Sequence, residues 1–349
     1  MQSVACASAR DCWAVGRTTA DLRSAHTLIA RYNGSDWVPV TDPAADGGHG
    51  GALFGVTCAR VDACWAAGVS NDPKHGRQQS LIERYNGSAW QVSSAGLPDR
   101  AADALYGVAC LSVSDCWAVG SVGTAPTHTL IQHYDGSTWA AVNSFDAGAS
   151  ADGVLRAVTC AQANGCWAVG SKGAGRTLIE RYDGSSWTIV PSPDTGASDT
   201  DTLSGVTCAA GGTCWAVGDY RRRSTQAGLI EEFRGNGWNI VASPAPALSR
   251  GSSLAGVACA RGSNCWAVGS ARSGAGRDRS LVALYNGARW VLVQSPNLGN
   301  GADASVASVT CPSVDDCWVV GQCSGVGGAP CRGSRSLIEF YDLILPDGH

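Results

Sequence analysis

The chain has 349 residues and a formal net charge of −4, with 25 Lys and Arg against 29 Asp and Glu. Nucleic-acid binding needs a concentrated positive surface, so this balance argues against nucleic acid as the main partner. Only 15% of the residues are charged and 45 are Gly, which favours a turn-rich β protein over a helical one. No apolar run approaches the ~20 residues of a membrane helix, so we expect no membrane insertion.

A Cys-Trp pair recurs seven times, at intervals of about 50 residues. The copies are Cys12-Trp13, Cys64-Trp65, Cys116-Trp117, Cys166-Trp167, Cys214-Trp215, Cys265-Trp266 and Cys317-Trp318. This is the period of a β-propeller blade, which usually holds four strands. The repeat predicts an all-β fold, a seven-bladed β-propeller with four-stranded antiparallel blades in a single domain over residues 1–349. The expected blades are residues 1–42, 43–95, 96–144, 145–193, 194–244, 245–296 and 297–349.

The fifth copy shows how one blade is built. Residues 203–208 predict an innermost strand A with small side chains, 214–218 predict strand B, 228–233 strand C and 238–241 strand D. Between strands C and D most copies carry Asn-Gly or Asp-Gly, which supplies the positive φ of a tight turn, and Trp follows at a fixed offset. The seventh copy lacks this Gly and Trp. Residues 343–345 therefore form a truncated outer strand, or the last blade is incomplete.

Each copy also holds two cysteines separated by five residues, at the end of strand A and the start of strand B. A hairpin places such positions opposite each other, within reach of a disulfide. The pairs are Cys6/Cys12, Cys58/Cys64, Cys110/Cys116, Cys160/Cys166, Cys208/Cys214, Cys259/Cys265 and Cys311/Cys317. Zinc, the rival interpretation, needs closer pairs that converge, which pairs spread round a ring do not. We therefore expect disulfides, no metal and no cofactor, and expect Cys323 to pair with Cys331.

Sixteen cysteines held as disulfides require an oxidising compartment, which predicts a secreted or cell-surface protein. The chain opens with Met1-Gln2-Ser3 directly before a predicted strand. We expect that an export signal has been removed from it.

The motif Tyr-[Asn/Asp]-Gly-x-x-Trp, preceded by Cys-Trp-Ala-Val-Gly, resembles the repeats of extracellular bacterial propellers of the BNR or Asp-box type. The resemblance covers nearly the whole chain through a short, degenerate motif. An Asp box has one residue between Asp and Gly, whereas Asp183 and Gly184 are adjacent here. Sialidases of that group use an arginine cluster, a Tyr/Glu nucleophile pair and an Asp acid/base, none of which maps onto particular positions of this chain. The resemblance therefore supports the fold and not sialidase chemistry.

Two sets of connections predict a functional face. The A–B loops and C–D turns are uniform, whereas the B–C and D–A connections vary and meet on the opposite face, here called the variable-loop face. Variable loops on a rigid scaffold commonly build binding sites. Just before strand C this face carries a ring of side chains: His26, Gln79, His128, Arg176, Arg279 and Arg335. Near the channel mouth they would bind a carboxylate, a sulfate or sugar hydroxyls; solvated strand ends are the alternative.

Other polar residues have structural alternatives as well. Asp219 and Tyr220, followed by three arginines, form a second binding candidate or simply a soluble surface. The D–A connections carry Asp46, Asp103, Asp152, Asp199, Asp201 and Asp303. Two of them could pair as general acid and base, or all of them could serve as turn residues. Strand C carries Glu83, Glu180, Glu231 and Glu339, whose recurrence favours pairing between blades over catalysis. The repeated tryptophans are expected in the core, with sugar stacking by outer ones as the alternative.

No nucleophile elbow, P-loop, zinc-protease motif or dinucleotide fingerprint occurs in the sequence. We therefore expect a binding protein rather than an enzyme, one that recognises a glycan or an extracellular protein through the variable-loop face. The alternative is an extracellular polysaccharide hydrolase or lyase with its active site at the channel mouth. A third possibility is a structural envelope component with large apolar patches on the rim of the ring.

Overall fold

The structure is a computed structural model that describes residues 1–18, 25–43, 50–72, 77–93, 102–144, 152–162, 165–260, 264–295, 302–314, 316–325, 331 and 333–342. Within these ranges 27 strands form seven antiparallel sheets, and in every sheet the spatial order of the strands follows the chain. The seven-bladed propeller is confirmed. The described ranges hold no helix of the length and hydrophobicity that a membrane crossing requires.

Each blade takes its strands from the inside outwards. Blade one contains β1 (Ser3–Ser8), β2 (Asp11–Arg17), β3 (Thr27–Tyr32) and β4 (Trp37–Val40). Blade two contains β5 (Gly51–Arg60), β6 (Ala63–Asp72), β7 (Arg77–Tyr85) and β8 (Trp90–Ser93). Blade three contains β9 (Asp103–Ser112), β10 (Asp115–Val122), β11 (His128–Tyr134) and β12 (Trp139–Val142). Blade four contains β13 (Gly153–Gln162), β14 (Gly165–Lys172), β15 (Arg176–Tyr182) and β16 (Trp187–Val190).

The remaining blades follow the same plan. Blade five contains β17 (Thr200–Cys208), β18 (Cys214–Arg222), β19 (Thr225–Phe233) and β20 (Trp238–Val241). Blade six contains β21 (Gly251–Cys259), β22 (Cys265–Arg272), β23 (Asp278–Tyr285) and β24 (Trp290–Val293). Blade seven contains β25 (Ala302–Thr310), β26 (Asp316–Gly325) and β27 (Gly333–Asp342). Residues 343–345, considered above as an outer strand of blade seven, lie outside the described residues.

The hydrophobic core lies between blades, where a tryptophan of each strand B meets the aromatic residues of the next blade. In blade one, Trp13 packs 4.6 Å from Tyr85 and 5.1 Å from Trp90 of blade two, the second contact being edge-on. The same contact recurs for the other strand-B tryptophans: Trp65, Trp117, Trp167, Trp215, Trp266 and Trp318. Edge-to-face packing is favoured by the ring quadrupoles. Most tryptophans are thereby buried, which leaves them unavailable for stacking on sugar rings.

Among the described strands, none is exchanged between the first and last blades, and the two blades meet directly. Trp318 of blade seven packs 4.7 Å from Tyr32 and 5.3 Å edge-on from Trp37 of blade one. On the inner side, the Met1 nitrogen donates to the Gly321 carbonyl over 2.9 Å. Blades one and seven thus meet through the contacts that join the other blades.

All sixteen cysteines form the eight disulfides predicted above. The partners of the repeated pairs face each other across strands A and B with Cα atoms 3.9–4.2 Å apart. Cys323 is joined to Cys331, across a Cα distance of 5.9 Å. No cysteine remains to bind a metal. Such a set of disulfides is typical of proteins in an oxidising environment.

Around the axis the innermost strands approach so closely that only small residues fit. A Cβ atom on Gly107 would lie 3.0 Å from the Ala157 Cα, and one on Gly256 would lie 2.9 Å from the Ala307 carbonyl oxygen. The small side chains predicted for strand A therefore have a packing cause.

A second glycine position, in strand B, sets the shape of strand A. In blade five a Cβ atom on Gly218 would lie 1.9 Å from the Thr202 carbonyl oxygen. Strand A of that blade has a β-bulge between Leu203 and Gly205, so one residue leaves the ladder. The same bulge occurs in blades two, three, four, six and seven. The glycine lets the two strands meet closely where the bulge forms.

The buried glutamates of strand C pair with the preceding blade, as their recurrence predicts. Ser192 of blade four donates to Glu231 of blade five over 3.0 Å, and Ser295 donates to Glu339 over 3.2 Å. Burial raises the pKa of Glu231 to about 8, because the low-dielectric interior disfavours its charged form. In blade three the same slot holds the buried Gln132.

Replacing Gly218 by Ala is expected to lower the free energy of unfolding by about 3 kcal/mol or more, because the added methyl group overlaps the Thr202 carbonyl. The control is Gly211→Ala, where a Cβ atom meets nothing within 4 Å. Urea denaturation of both variants tests this. Equal midpoints for the two would contradict the proposed role of the strand-B glycine.

Stability is expected to fall between pH 5 and pH 9 through Glu231. The folded protein binds this proton more tightly than the unfolded chain, whose Glu has an ordinary pKa of 4.5. The stabilisation is complete below that value and is lost as the pH rises through 8, by up to about 5 kcal/mol. The variant Glu231→Gln, matched to the natural Gln132, should flatten the pH profile in urea denaturation, and Gln132→Glu should steepen it. Parallel profiles for parent and Glu231→Gln would refute this account.

Candidate functional site

The two faces of the ring differ as the loop lengths predict. On the uniform face the C–D turns are fixed by side chains that cap their own backbone: Asn33 Oδ1 accepts hydrogen bonds from the amides of Ser35 and Asp36, both at 3.0 Å. Asp135 and Asp183 do the same in their blades, and these hydrogen bonds lower the pKa of each carboxyl to about 2. These turns are therefore structural.

The acidic residues of the D–A connections mostly tie neighbouring segments together. Asp103, Asp152 and Asp303 each accept a hydrogen bond from the backbone at the start of the preceding blade's strand C, at 2.8–3.0 Å. Asp201 accepts from Thr195, and Asp199 pairs with Arg222. Asp46 lies outside the described residues. These contacts support the turn interpretation over an acid/base pair.

Of the six residues proposed as a ring before strand C, five lie on that strand, the third from the axis, and His26 directly precedes it. None of them lines the axial cavity or the groove described below. Arg176 donates to the carbonyls of Gly196 and Ala197 and lies 3.3 Å from Asp194, so it fastens a D–A connection. The His26 amide donates to Thr18 Oγ1. Strand C is the third strand from the axis, and the placement of Gln79, His128, Arg279 and Arg335 at the channel mouth and their binding role stay predictions.

Between blades five and six the variable-loop face contains a basic groove, here called the blade five–six groove. It consists of two depressions of about 840 and 330 Å³ that share Ser224. The lining includes Tyr220, Arg222, Arg223, Arg250, Arg272, Asp199 and Asp278. Four arginines face two carboxylates there, so the groove is positive on a chain whose net charge is −4. Arg222 pairs with Asp199 at 3.0 Å and Arg272 with Asp278 at 3.3 Å.

Two strained residues border this groove. Arg223 has φ = 56° at the first of two turn residues between β18 and β19, a position where Gly is usual. Leu248, in the D–A connection that leads to Arg250, has φ = 66° and is 91% exposed. Left-handed conformations cost L-residues roughly 1–2 kcal/mol, and such outliers cluster at functional sites. The groove thus displays Arg223 at a cost in stability, and Leu248 lies two residues before the lining residue Arg250.

Of the second binding candidate, Tyr220 lines the groove but Asp219 does not. Asp219 is half-buried and accepts a hydrogen bond of 2.7 Å from Gln226 Nε2. Burial raises its pKa, although that hydrogen bond and the charges of Arg221 and Arg156 act in the opposite direction. The described residues contain no group of three or more His, Cys, Asp or Glu placed to hold a metal ion.

The axis of the ring holds a cavity of about 240 Å³, lined by strand A of all seven blades. Its walls are the small residues that follow each bulge, and one end is a ring of seven buried valines: Val4, Val56, Val108, Val158, Val206, Val257 and Val309. A second cavity of about 190 Å³ shares Gln2, Ala255 and Ala307 with it. That cavity also includes residues nearer the start of strand A, so it lies towards the variable-loop face.

The residue at the bulge, or directly before β1 in blade one, differs from blade to blade. The slot holds Gln2, Phe54, Tyr106, Arg156, Ser204, Ala255 and Ala307 in chain order. Three large side chains therefore stand on one side of the axis and smaller ones on the other. The signal was present in the sequence as the variable position in Leu-x-Gly-Val-x-Cys. Sequence reasoning missed it because only the bulge turns this position into the channel.

Comparison with known proteins shows the fold alone. No protein-family model matches the chain, and no curated protein does. Among solved structures, a xyloglucanase from Xanthomonas campestris is similar to 96% of this chain over 53% of its own length, at 17% identity and a TM-score of 0.59. An ulvan lyase, a polysaccharide lyase bound to -[GlcA(1-4)Rha3S]-, matches 95% of this chain and 90% of its own, with 10% identity and a TM-score of 0.58. YCF48 bound to D1 peptide matches 97% and 92%, with 12% identity and a TM-score of 0.57.

Replacing Arg223 by Gly is expected to leave the free energy of unfolding equal or raise it by up to about 1 kcal/mol, because Gly adopts positive φ without strain. The matched control is Arg222→Gly, one residue earlier in β18, which should be destabilising by about 1 kcal/mol. Thermal and urea unfolding of the two variants measure this. If Arg223→Gly is as destabilised as the control, the arginine is not strained.

Proposed function

We propose that this protein is a secreted or cell-surface binding propeller that recognises an anionic glycan through the blade five–six groove. The observation that carries the proposal is the cluster of Arg222, Arg223, Arg250 and Arg272 on the variable-loop face. Eight disulfides support the location, since they persist in an oxidising compartment. The repeat motif supports a further proposal of kinship with the bacterial propellers of the BNR or Asp-box type.

The charge of the groove favours an anionic ligand. Arg250 lines it without an ion pair to any carboxylate that the structure describes. Arg223 lies in a turn where its positive φ strains the backbone. Arginine forms bidentate hydrogen bonds to carboxylate and sulfate-like groups, so both side chains suit such ligands.

The polar character of the groove favours a glycan over a protein partner. Hydroxyl groups of Ser198, Ser224, Ser253 and Ser270 line it, and they suit the hydroxyls of a sugar chain. Protein interfaces depend on buried aromatic and aliphatic anchors. Here Tyr220 is half-buried and Leu248 stands alone, so a protein partner would find few such anchors.

The alternative, a polysaccharide hydrolase or lyase acting at the channel mouth, has one observation in its favour. Tyr106 and Arg156 lie together at the axial cavity, and a phenol beside a guanidinium offers proton transfer next to a group that neutralises a carboxylate. The structural alternative has less support. Among the described residues, the exposed large apolar side chains of the outermost described strands are spread over five blades, at Val38, Val92, Ile240, Leu292 and Phe340.

The proposal is tested by titrating the protein with dextran sulfate, neutral dextran and poly-glutamate in isothermal calorimetry. Dextran sulfate should bind, more weakly as salt is added, because screening weakens charge pairs between exposed groups. The double variant Arg223→Gly/Arg250→Ala should lose at least about tenfold in affinity, the equivalent of one lost charge-assisted hydrogen bond. Arg10→Ala/Arg60→Ala removes the same charge from the uniform face and should bind as the parent does.

Equal losses in the two double variants would contradict a site in the groove. Binding of poly-glutamate without binding of dextran sulfate would replace the glycan by an acidic protein. Growth of reducing ends or of unsaturated uronate absorbance in polysaccharide incubations, abolished by Tyr106→Phe, would favour the enzyme over the binding protein.

A further inference from the structure

Seven positions face the axial cavity, one from each blade. In six blades this residue leaves the strand A ladder at the bulge, and in blade one Gln2 lies directly before β1. A small residue follows each position, and a buried Leu, Val or Met precedes it. The residue type at these positions is therefore less restricted than at their neighbours, and the cavity takes its character from them.

In this chain three adjacent blades fill the slot with a ladder of aromatic and cationic groups. The rings of Phe54 and Tyr106 lie 5.5 Å apart and are tilted by 41°. The Arg156 Cζ lies 5.8 Å from the centre of the Tyr106 ring. The cation–π contact holds the guanidinium against the ring, and the N–H groups of the guanidinium can donate hydrogen bonds to a ligand. We call these three residues the axial ladder.

Arg156 carries a charge that the described part of the chain does not neutralise by direct contact. It is exposed, and none of the ion pairs among the described residues includes it. Asp219 is close enough to interact with it through space, but that carboxyl accepts its hydrogen bond from Gln226. A guanidinium held in a cavity of this kind is a binding group for a carboxylate.

The size of the cavity limits the ligand to a small one. A volume of about 240 Å³ holds about eight water molecules at ~30 Å³ each. It is below the ~300–1,000 Å³ of sites for drug-sized molecules. A single six-membered ring with one carboxylate fits this space. The small side chains of Ser204, Ala255 and Ala307 leave room for it opposite the axial ladder.

We propose that the axial cavity binds a carboxylate carried on a single six-membered ring, with Arg156 pairing with the carboxylate and Tyr106 and Phe54 packing against the ring. A hexuronate and an aromatic carboxylate share this chemistry. The site is separate from the blade five–six groove and does not depend on the glycan proposed there.

The experiment titrates the whole chain with four probes, glucuronate, benzoate, glucose and acetate, and follows binding by saturation-transfer NMR and calorimetry. Glucuronate or benzoate should bind, whereas glucose lacks the charge and acetate lacks the ring, and both should bind at least tenfold more weakly. The tighter of the first two identifies the source of the carboxylate, a sugar or an aromatic acid.

A set of variants tests whether the ligand binds at the axial ladder. Arg156→Gln should lower the affinity for the ring carboxylate at least tenfold, and Tyr106→Ala should lower it severalfold. Ser204→Ala changes the same slot on the opposite wall and should bind as the parent does. Arg223→Gly/Arg250→Ala should leave this binding unchanged, which separates the site from the groove. Thermal unfolding of Arg156→Gln should match the parent, because the side chain is exposed.

The proposal is overturned if neither ring carboxylate binds the parent. It is also overturned if Arg156→Gln binds them as well as Ser204→Ala does, or if acetate competes equally with glucuronate and benzoate.

Discussion

The contact on which the ring depends is a tryptophan of strand B held between a Tyr or Phe and a second aromatic of the next blade. Trp13 makes it with blade two, and Trp318 makes it with Tyr32 and Trp37 of blade one, which closes the circle. No blade has a core of its own, because its two faces are covered only by its neighbours. Repeat proteins of this kind are stabilised largely by such nearest-neighbour interfaces. A closed ring has no terminal unit with an uncovered face.

Both candidate binding sites lie outside the contacts that the strand-B tryptophans make with the next blade. Cross-blade packing fixes strands B, C and D, and close approach at the axis fixes the small residues of strand A. The bulged positions and the connections of the variable-loop face lie outside the strand-B tryptophan contacts, although Phe54 and Tyr106 pack against each other across blades two and three. The axial ladder of Phe54, Tyr106 and Arg156 occupies the first, and the blade five–six groove occupies the second. Both sites are therefore asymmetric features on a symmetric scaffold.

The fold was predictable because its determinants repeat. Three sequence signals recur in all or nearly all blades: the Cys-Trp period, the Asn-Gly turns and the cysteine spacing. Each signal specifies a local geometry, and the structure confirms them. The site was less predictable. The ring of His26, Gln79 and the related residues was predicted just before strand C, which the strand order makes the third strand from the axis, and its binding role stays a prediction. The axial ladder depends on a bulge, and the strain at Arg223 depends on a backbone angle, neither of which a residue type reveals.

The cysteine spacing has a consequence for oxidative folding in an oxidising compartment. Closing a short loop costs little chain entropy, so a thiol reacts first with the nearest other thiol along the chain. In blades one to six the nearest cysteine is always the native partner, six residues away. In blade seven Cys317 stands six residues from its partner Cys311 and also six from Cys323. Mispaired isomers are therefore expected to concentrate in that blade, and a disulfide isomerase would act there.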